Sequence, residues 1–549
     1  MTLDSLITVL GLIIALYSVL SRVRRLEFKL RFGLFGWVVS IVAFLLIVYL
    51  QFYQSFCKFA FTPGLKLSRW NLNPQNVSFI VLLVAVIILW PYLAFRKLTR
   101  RRIGQFREIV LELSQDGRYS EMYSLVENNL KELSRIYHSN FMLFRIKQHL
   151  DNNSNKFNYN FQVRERIKNQ QNSFNTHLNL TKNKIYQILA KAFPDYDRES
   201  NTARDVIHAL FMNKKTVKEM IHKRPYYALA FFKYDFGEYE EFFEKYLAEL
   251  AKDTNSAFYH ELKNNQNLSN SFAYELPERN RLLYFLFFDC SVAEKLAPYR
   301  PVGEIVIGEL DQLYANGNTD PYNGPRTDDF EYSKWESVLF VGIRFFDIMV
   351  TSALLQNINW HMWLYYFPVF AKRIVRNLKP NSKDVDYESE YPTPYHLLLY
   401  EIVSCLCNWF SSVQDMPKNQ SNIILETSRV SHENGNIPKS AMIALGQVFS
   451  TVLVSNSISQ RFKTYLAEIA FSRYFDLRTN NETRTYSEVL LNALRSGGCD
   501  ITSPHKEYHI ALFESFCRID SVPYIIESFD EYKKVKLLLE SDANGEACK

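Results

Sequence analysis

Three long stretches without a charged residue lie near the N-terminus, and no other feature of the chain restricts its fold as strongly. They occupy residues 5–21, 32–57 and 70–95. Their apolar centres, at 5–21, 34–54 and 77–95, are long enough to cross a bilayer, because a spanning helix needs about 17–25 residues. The sequence therefore predicts a module of three transmembrane helices in residues 1–102.

The first stretch also has to be compared with a cleaved signal peptide. A signal peptide carries positive charge before its apolar run and a small-residue cleavage site after it. Here the preceding residues are MTLD, without Lys or Arg, and the charge at Arg22 follows the run. We therefore interpret residues 5–21 as a retained span.

Positive charge is concentrated in the first connection between spans and directly after the third span. Such clusters remain in the cytoplasm according to the positive-inside rule. The sequence predicts a plasma-membrane (inner-membrane) protein with its N-terminus outside and residues 103–549 in the cytoplasm. The residues that set this topology are Arg22, Arg24, Arg25, Lys29, Arg31, Arg96, Lys97, Arg100, Arg101 and Arg102.

The same charges explain the basic pI of about 8.7. Residues 1–102 hold thirteen Lys or Arg and two acidic residues, a net charge of +11, whereas the whole chain carries +6. Residues 103–549 therefore carry −5, so the sequence predicts no nucleic-acid partner for the soluble part.

Small residues recur along one face of each of the first two predicted spans. Such faces allow close packing of helix backbones, within one chain or between subunits, although small residues are common in membrane helices generally. They favour a homo-oligomer packed through the spans. The residues are Gly11, Ala15, Ser18, Gly36, Ser40 and Ala43. The spans contain no ionisable residue, which argues against a transporter.

The rest of the chain has the apolar spacing of helices, and the predicted fold class is mainly α. The predicted parts are a juxtamembrane helical hairpin (103–150), an Asn-rich linker (151–180), a helical domain (181–377) and a C-terminal helical domain (378–549). Breaks are expected at 314–332, 378–393 and 415–438, and a strand near 305–307. Residues 338–375 are predicted to form a buried core helix followed by an aromatic-rich helix, with contact to the membrane surface as the alternative.

Two turns in this region share a Gly-x-Tyr pattern. They are Asp116-Gly117-Arg118-Tyr119 and Phe236-Gly237-Glu238-Tyr239, each next to an amphipathic helix. The pattern resembles the tetratricopeptide-repeat hairpin. The resemblance implies a solenoid-like scaffold that binds a protein partner on a concave surface, and ordinary helical hairpins are the alternative.

Motifs of common catalytic sites are absent: the chain contains no GxxxxGK[ST], GxGxxG, HExxH or GxSxG. Three weaker groupings remain. His505 and His509, with Glu507 between them, have the spacing of metal ligands on a helix, but no third ligand is evident. The CxC at Cys405 and Cys407 favours buried thiols, because residues i and i+2 point to different faces of a helix. Asp328 and Asp329 favour a solvated loop. We predict no catalytic, cofactor or metal site, and reduced thiols throughout.

The layout of a short membrane module and a long helical cytoplasmic part resembles membrane-anchored effectors of bacterial anti-phage defence. The resemblance concerns architecture and implies a membrane-tethered sensor and effector. The soluble domain would recognise a macromolecular partner or signal, and the oligomerised module would disturb the bilayer. A non-enzymatic scaffold that recruits a partner protein, and an enzyme of unrecognised fold, are the alternatives.

Overall fold

A computed structural model shows a mainly helical protein, as the sequence predicts. The structure describes residues 11, 17–52, 74–95, 97–138, 197–234, 236–237, 239–266, 269–270, 273–317, 320–358, 362–380, 385–414, 436–498, 505–519 and 529–545. The predicted linker at 151–180, the connection between the second and third spans at 53–73, and Ala15, Arg96, Cys57, Cys499 and Cys548 lie outside them.

The chain forms two compact units, Met1–Tyr239 and Glu240–Lys549, so the division lies inside the predicted 181–377 domain. The helices of the first unit are α1 (Arg22–Arg31), α2 (Leu34–Gln51), α3 (Pro74–Phe95), α4 (Ile103–Gln115), α5 (Tyr119–Tyr137), α6 (Asp197–Phe211), α7 (Lys214–Lys223) and α8 (Tyr227–Phe231).

Helices α4 and α5 form a hairpin in residues 103–137, within the predicted segment 103–150, of which residues 139–150 lie outside the described residues. Gly117 has φ +69°, a left-handed conformation that glycine adopts without strain, and it turns the chain between the two helices. The apolar stripes predicted from spacing are buried, among them Phe106, Val110 and Leu133. Helix α6 packs on both α4 and α5, so the hairpin is one side of a three-helix core.

The second Gly-x-Tyr turn has a different structure. Helix α8, which precedes it, has only five residues. The backbone N–H of Gly237 donates to the Tyr137 hydroxyl at 2.6 Å, and a Cβ at this position would lie 2.6 Å from the same oxygen. At 237 a side chain would require the Tyr137 hydroxyl to move, whereas Gly117 is favoured by its left-handed backbone conformation.

The second unit contains fourteen helices among the described residues. They are α9 (Tyr239–Lys252, which begins at the unit boundary), α10 (Ala257–Asn265), α11 (Arg281–Phe287), α12 (Cys290–Leu296), α13 (Tyr299–Asn316), α14 (Asp328–Ser333), α15 (Val338–Leu355), α16 (Tyr366–Asn377), α17 (Pro394–Ser411), α18 (Ile437–Val452), α19 (Gln460–Thr479), α20 (Arg484–Arg495), α21 (Lys506–Cys517) and α22 (Phe529–Asn544). Two strands of two residues, β1 (Ser269–Asn270) and β2 (Ala273–Tyr274), pair in antiparallel fashion.

Helix α15 forms the centre of the second unit's core. It contacts α13 and α17 as well as the shorter helices α10, α11 and α12. The prediction of a buried core helix followed by a second, aromatic-rich helix is confirmed by α15 and α16. Further along the chain, α17 packs on α18, and α18 packs closely on α20 at Gly446, where a Cβ would collide with the carbonyl oxygen of Ala493.

The strand predicted near 305–307 is wrong, because these residues lie inside α13. The run of apolar residues there does not alternate as a strand would. Val302, Val306 and Leu310 are buried with helical spacing, on the helix that packs against α15 and α16. Tertiary packing along one helical face therefore overrides the local β-branched composition.

The predicted breaks differ in how far they extend. Residues 378–393 contain no helix in their described part, as expected. In the 314–332 region, however, α13 continues to Asn316 and α14 begins at Asp328. Asp328 and Asp329 therefore begin a short helix rather than lie in a loop, since acidic residues are favoured in the first turn of a helix. Only residues 436–438 of the third break are described, and α18 already begins at Ile437.

Candidate functional site

Three helices in the described part of the chain are long and apolar enough to cross a membrane by length and composition: α2, the segment Asn76–Leu93 of α3, and α15. Burial separates them. Of the eighteen residues in each segment, 78% are buried inside the protein in α15, compared with 22% in α2 and 6% in Asn76–Leu93. Helix α15 is thus an interior helix of the second unit, and α2 and α3 are the candidates for membrane contact.

Helices α2 and α3 form an antiparallel pair. The ring centroids of Phe35 and Tyr92 are 4.9 Å apart, so the start of α2 lies beside the end of α3. The less exposed face of α2 comprises Gly36, Ser40, Ala43, Ile47 and Leu50. The small-residue face predicted on the second span is therefore part of the less exposed side of α2.

The opposite faces of the pair are covered with large apolar side chains. Most of the exposed large apolar residues in the described part of the chain lie on these two helices, for example Trp37, Ile41, Ile87 and Trp90. A continuous apolar surface of this kind is unfavourable in water and suits lipid chains.

The small-residue face predicted on the first span is only partly described. Gly11 is exposed, and a Cβ at this position would have no atom within 4 Å. Ser18 is exposed as well. Among the described residues Gly11 thus has open space around it, whereas Gly36 is buried and a Cβ there would lie 3.1 Å from the Phe32 ring.

Helix α1 connects the predicted membrane spans to the soluble hairpin. Ser21 caps its N-terminus by accepting a hydrogen bond from the backbone N–H of Arg24 at 3.4 Å. The helix packs on α5, where Asn128 Nδ2 donates to Glu27 Oε1 at 2.6 Å. Arg22 lies 3.9 Å from both Glu112 and Glu121, one residue on each helix of the hairpin.

Arg102 fixes the C-terminal end of α1. Its guanidinium donates hydrogen bonds to the carbonyl oxygens of Lys29 (3.3 Å), Leu30 and Phe32 (3.2 Å). No backbone N–H of the helix donates to these carbonyl oxygens, because they lie at its C-terminal end. A cationic donor therefore stabilises them. Arg31 in turn donates to the carbonyl oxygen of Leu93, near the end of α3, at 3.4 Å. The connection, the end of α3 and the start of α4 thus form one hydrogen-bonded group.

The residues predicted to set the topology fall into two groups. Arg22, Arg31 and Lys97 pair with carboxylates; Lys97 lies 3.3 Å from Glu132 on α5. Within the described residues, Arg24, Arg25, Lys29 and Arg101 have no carboxylate partner, and Arg24, Lys29 and Arg101 are exposed. Sequence reasoning did not separate these groups, because the partners of Arg22 and Lys97 lie 35 to 99 positions away in the chain.

The second unit contains a buried polar cluster around Asp347 in the middle of α15. Asp347 accepts hydrogen bonds from the Tyr274 hydroxyl and from Trp409 Nε1, the latter at 3.0 Å. Arg344 lies 3.3 Å from Asp347 and 3.6 Å from Glu401 on α17. Each buried charge therefore has a partner, which is the condition under which charges are tolerated in a core.

The titration properties around this cluster follow from burial. Burial raises the pKa of the Glu401 carboxyl, and nearby Arg344 opposes this shift. Burial also raises the pKa of Cys405 well above its usual range and that of Cys407 to about 12. Both thiols are therefore protonated at neutral pH, and the prediction of buried structural thiols is confirmed.

A second polar network joins the 320s to α16 and α17. Asp320 accepts from the Tyr395 hydroxyl at 2.7 Å and from Asn323 Nδ2 at 3.0 Å. Beside it is a cavity of about 250 Å³, lined by Pro321, Tyr322, Phe330, Ser333, Glu336, Ser337 and Pro394. The lining has one carboxylate and no His, Cys or Lys, so it lacks the paired groups of acid–base or nucleophilic catalysis.

The histidine grouping does not form a ligand set. His505 is exposed and precedes α21, whereas His509 is half-buried inside it. Among the described residues, no group of three or more His, Cys, Asp or Glu side chains is placed to hold a metal ion.

Comparison with known proteins identifies no relative: no protein family, no curated protein and no solved structure matches the chain.

Proposed function

We propose that this protein is a membrane-tethered helical sensor and effector. Its soluble part recognises a macromolecular partner or signal, and its membrane helices, with the N-terminus outside, disturb the bilayer after assembly of several copies. Defence against phage is the setting that the resemblance in architecture favours.

One observation carries the proposal: helix α1 and Arg102 link the apolar pair α2–α3 to the soluble hairpin within one compact unit. Movement of α5 is passed to the spans through the Glu27–Asn128 hydrogen bond, the Arg22 ion pairs and the three carbonyl contacts of Arg102. A simple anchor would not need a packed connection, since a flexible linker holds a domain at a membrane equally well. Two states of this connection would give signal-dependent rearrangement of the spans.

The exposed faces of α2 and α3 contain no charge that could line an aqueous path. One copy also has too few spans to enclose a pore. Any leak must therefore come from several copies packed together, which the open face at Gly11 permits.

The test is the membrane potential of bacteria that express the full-length protein, followed with a voltage-sensitive dye. We expect wild type to depolarise cells and Arg102→Gln to reduce the effect several-fold while the protein remains inserted. Lys131→Gln is the matched control, because Lys131 is exposed on α5. A harmless wild type that carries a bound protein to the membrane would contradict the effector mechanism and support the recruiting scaffold.

A further inference from the structure

We propose that four cations, Arg24, Arg25 and Lys29 of α1 and Arg101 of the 3-10 turn Arg100–Arg102 before α4, bind the phosphates of anionic phospholipids. We call these four residues the basic collar. The proposal rests on the proposed insertion of α2 and α3 into a membrane, and it adds a lipid class that this membrane must contain.

The first argument is the selective pairing of the basic residues. Carboxylates of the soluble hairpin neutralise Arg22 and Lys97, and Glu27 neutralises Arg31. The collar residues have no such partner among the described residues, and Arg24, Lys29 and Arg101 are exposed. Exposed cations of this kind are accessible to an anion from outside the chain, and a bound phosphate forms charge-assisted hydrogen bonds with them.

The second argument is the position of the collar relative to the apolar surface. Lys29 precedes the start of α2 by five residues, and Arg101 follows the end of α3 by six. Both therefore lie within a short distance of the lipid-facing bands. This is the level at which the headgroup phosphates of a bilayer are found.

The third argument is convergence of residues that are distant in sequence. Arg102 donates to the backbone carbonyl of Lys29 at 3.3 Å, which brings the neighbouring Arg101 to the same end of α1. Lys29 and Arg101 are 72 residues apart in the chain. The repulsion between exposed cations at the same end of α1 is offset when a phosphate binds, which favours an anion there.

The chemistry indicates a phosphodiester with a net negative charge, as in phosphatidylglycerol. A zwitterionic lipid such as phosphatidylcholine also has a phosphate, but its ammonium group is repelled by the collar. Each exposed cation near an anionic leaflet raises lipid affinity about fivefold. At 0.1 M salt this electrostatic attraction is largely screened beyond about 10 Å.

The experiment uses the full-length protein in nanodiscs that contain both phosphatidylglycerol and phosphatidylcholine. Native mass spectrometry gives the ratio of the two lipids that stay bound. We expect wild type to be enriched in phosphatidylglycerol, and the triple variant Arg24→Gln, Lys29→Gln, Arg101→Gln to lose about tenfold or more of this enrichment. The matched control is Lys214→Gln, Lys215→Gln, Lys218→Gln, which removes three exposed cations from α7 and should retain the enrichment.

Resistance to alkaline carbonate extraction, measured in parallel, separates the two proposals. Wild type that is extracted from membranes overturns the proposed function and the collar together. Wild type that is inserted but not enriched in phosphatidylglycerol overturns the collar alone, and so does an equal loss in both triple variants. If the collar variant is not inserted, a salt titration of wild type decides: enrichment that does not fall with ionic strength contradicts the collar.

Discussion

Asp347 is 5% exposed, and its side chain accepts hydrogen bonds from Tyr274 and Trp409 while it pairs with Arg344. We expect Asp347→Asn to lower the free energy of unfolding by about 3 kcal/mol, because Arg344 loses its nearer partner in a buried site and retains only Glu401. Urea unfolding of the detergent-solubilised protein, followed by tryptophan fluorescence, measures the change.

Asp476→Asn is the control for this substitution. Asp476 pairs with Arg473 at 3.6 Å on the surface of α19, where both side chains are about half exposed. Exposed pairs contribute less than about 1 kcal/mol, so this variant should unfold almost like wild type. Equal effects of the two substitutions would contradict a structural role for the Asp347 cluster.

His396 provides a test at acidic pH. It is fully buried near the start of α17, its Nδ1 lies 2.8 Å from Thr393 Oγ1, and burial lowers its pKa from 6.5 to about 4. Above pH 6.5 the His396 imidazole is mostly neutral in both the folded and the unfolded state. Between pH 6.5 and 4 the unfolded chain binds a proton that the folded protein excludes, so stability is lost as the pH falls through this window, by about 2 kcal/mol from pH 7 to pH 5.

His396→Phe should flatten this pH dependence, because phenylalanine keeps the ring packing on Phe462 and cannot be protonated. The unfolding midpoints of wild type and His396→Phe, measured between pH 6.5 and pH 4, provide the comparison. His208→Gln, at an exposed position on α6, should leave the slope unchanged. An unaltered slope in His396→Phe would show that other groups control the acid sensitivity.

At the scale of the helices, the two glycines of the predicted spans give different tests of assembly. Gly36 is buried within its own chain, so Gly36→Leu should disturb packing inside one chain by collision with the Phe32 ring directly before α2. Gly11 has open space around it, so Gly11→Leu should reduce contacts between subunits alone. Crosslinking in native membranes should show fewer oligomers for Gly11→Leu with normal insertion.

Val42→Leu is the control, because Val42 is exposed on α2 and leucine is equally apolar. It should insert and crosslink like wild type. A strictly monomeric wild type would rule out assembly as the basis of membrane disturbance, and the scaffold would then be the better explanation.

For the whole molecule, the predicted orientation is tested by cysteine labelling of intact cells. We expect an impermeant maleimide to react with Cys57 and to leave Cys548 unlabelled until the cells are permeabilised. Cys290, Cys405 and Cys407 are buried, so an absence of maleimide labelling at these three residues gives no information on topology. Cys548 labelled from outside would reverse the orientation, and the collar would then face the outer leaflet.

How far prediction from the sequence succeeded depends on the range of the interactions involved. The hairpin of α4 and α5 was predicted with its turn at Gly117, since apolar spacing and a glycine are local signals. The strand near 305–307 was wrong, because its apolar residues acquire their face only through packing on α15 and α16. The buried core helix predicted in residues 338–375 was correct, and it is α15.

By itself, the sequence determined the apolar helices, the asymmetry of charge around them and the mainly helical class, because hydropathy and periodicity act over a few neighbouring residues. Only the tertiary structure decided which charges are paired. Arg102 meets the end of α1 across about 70 residues, and Tyr274 meets Asp347 across 73. Such contacts depend on how helices pack, and packing is a property of many distant residues at once. The same physical reason explains why the collar, defined by missing partners, is visible only after folding.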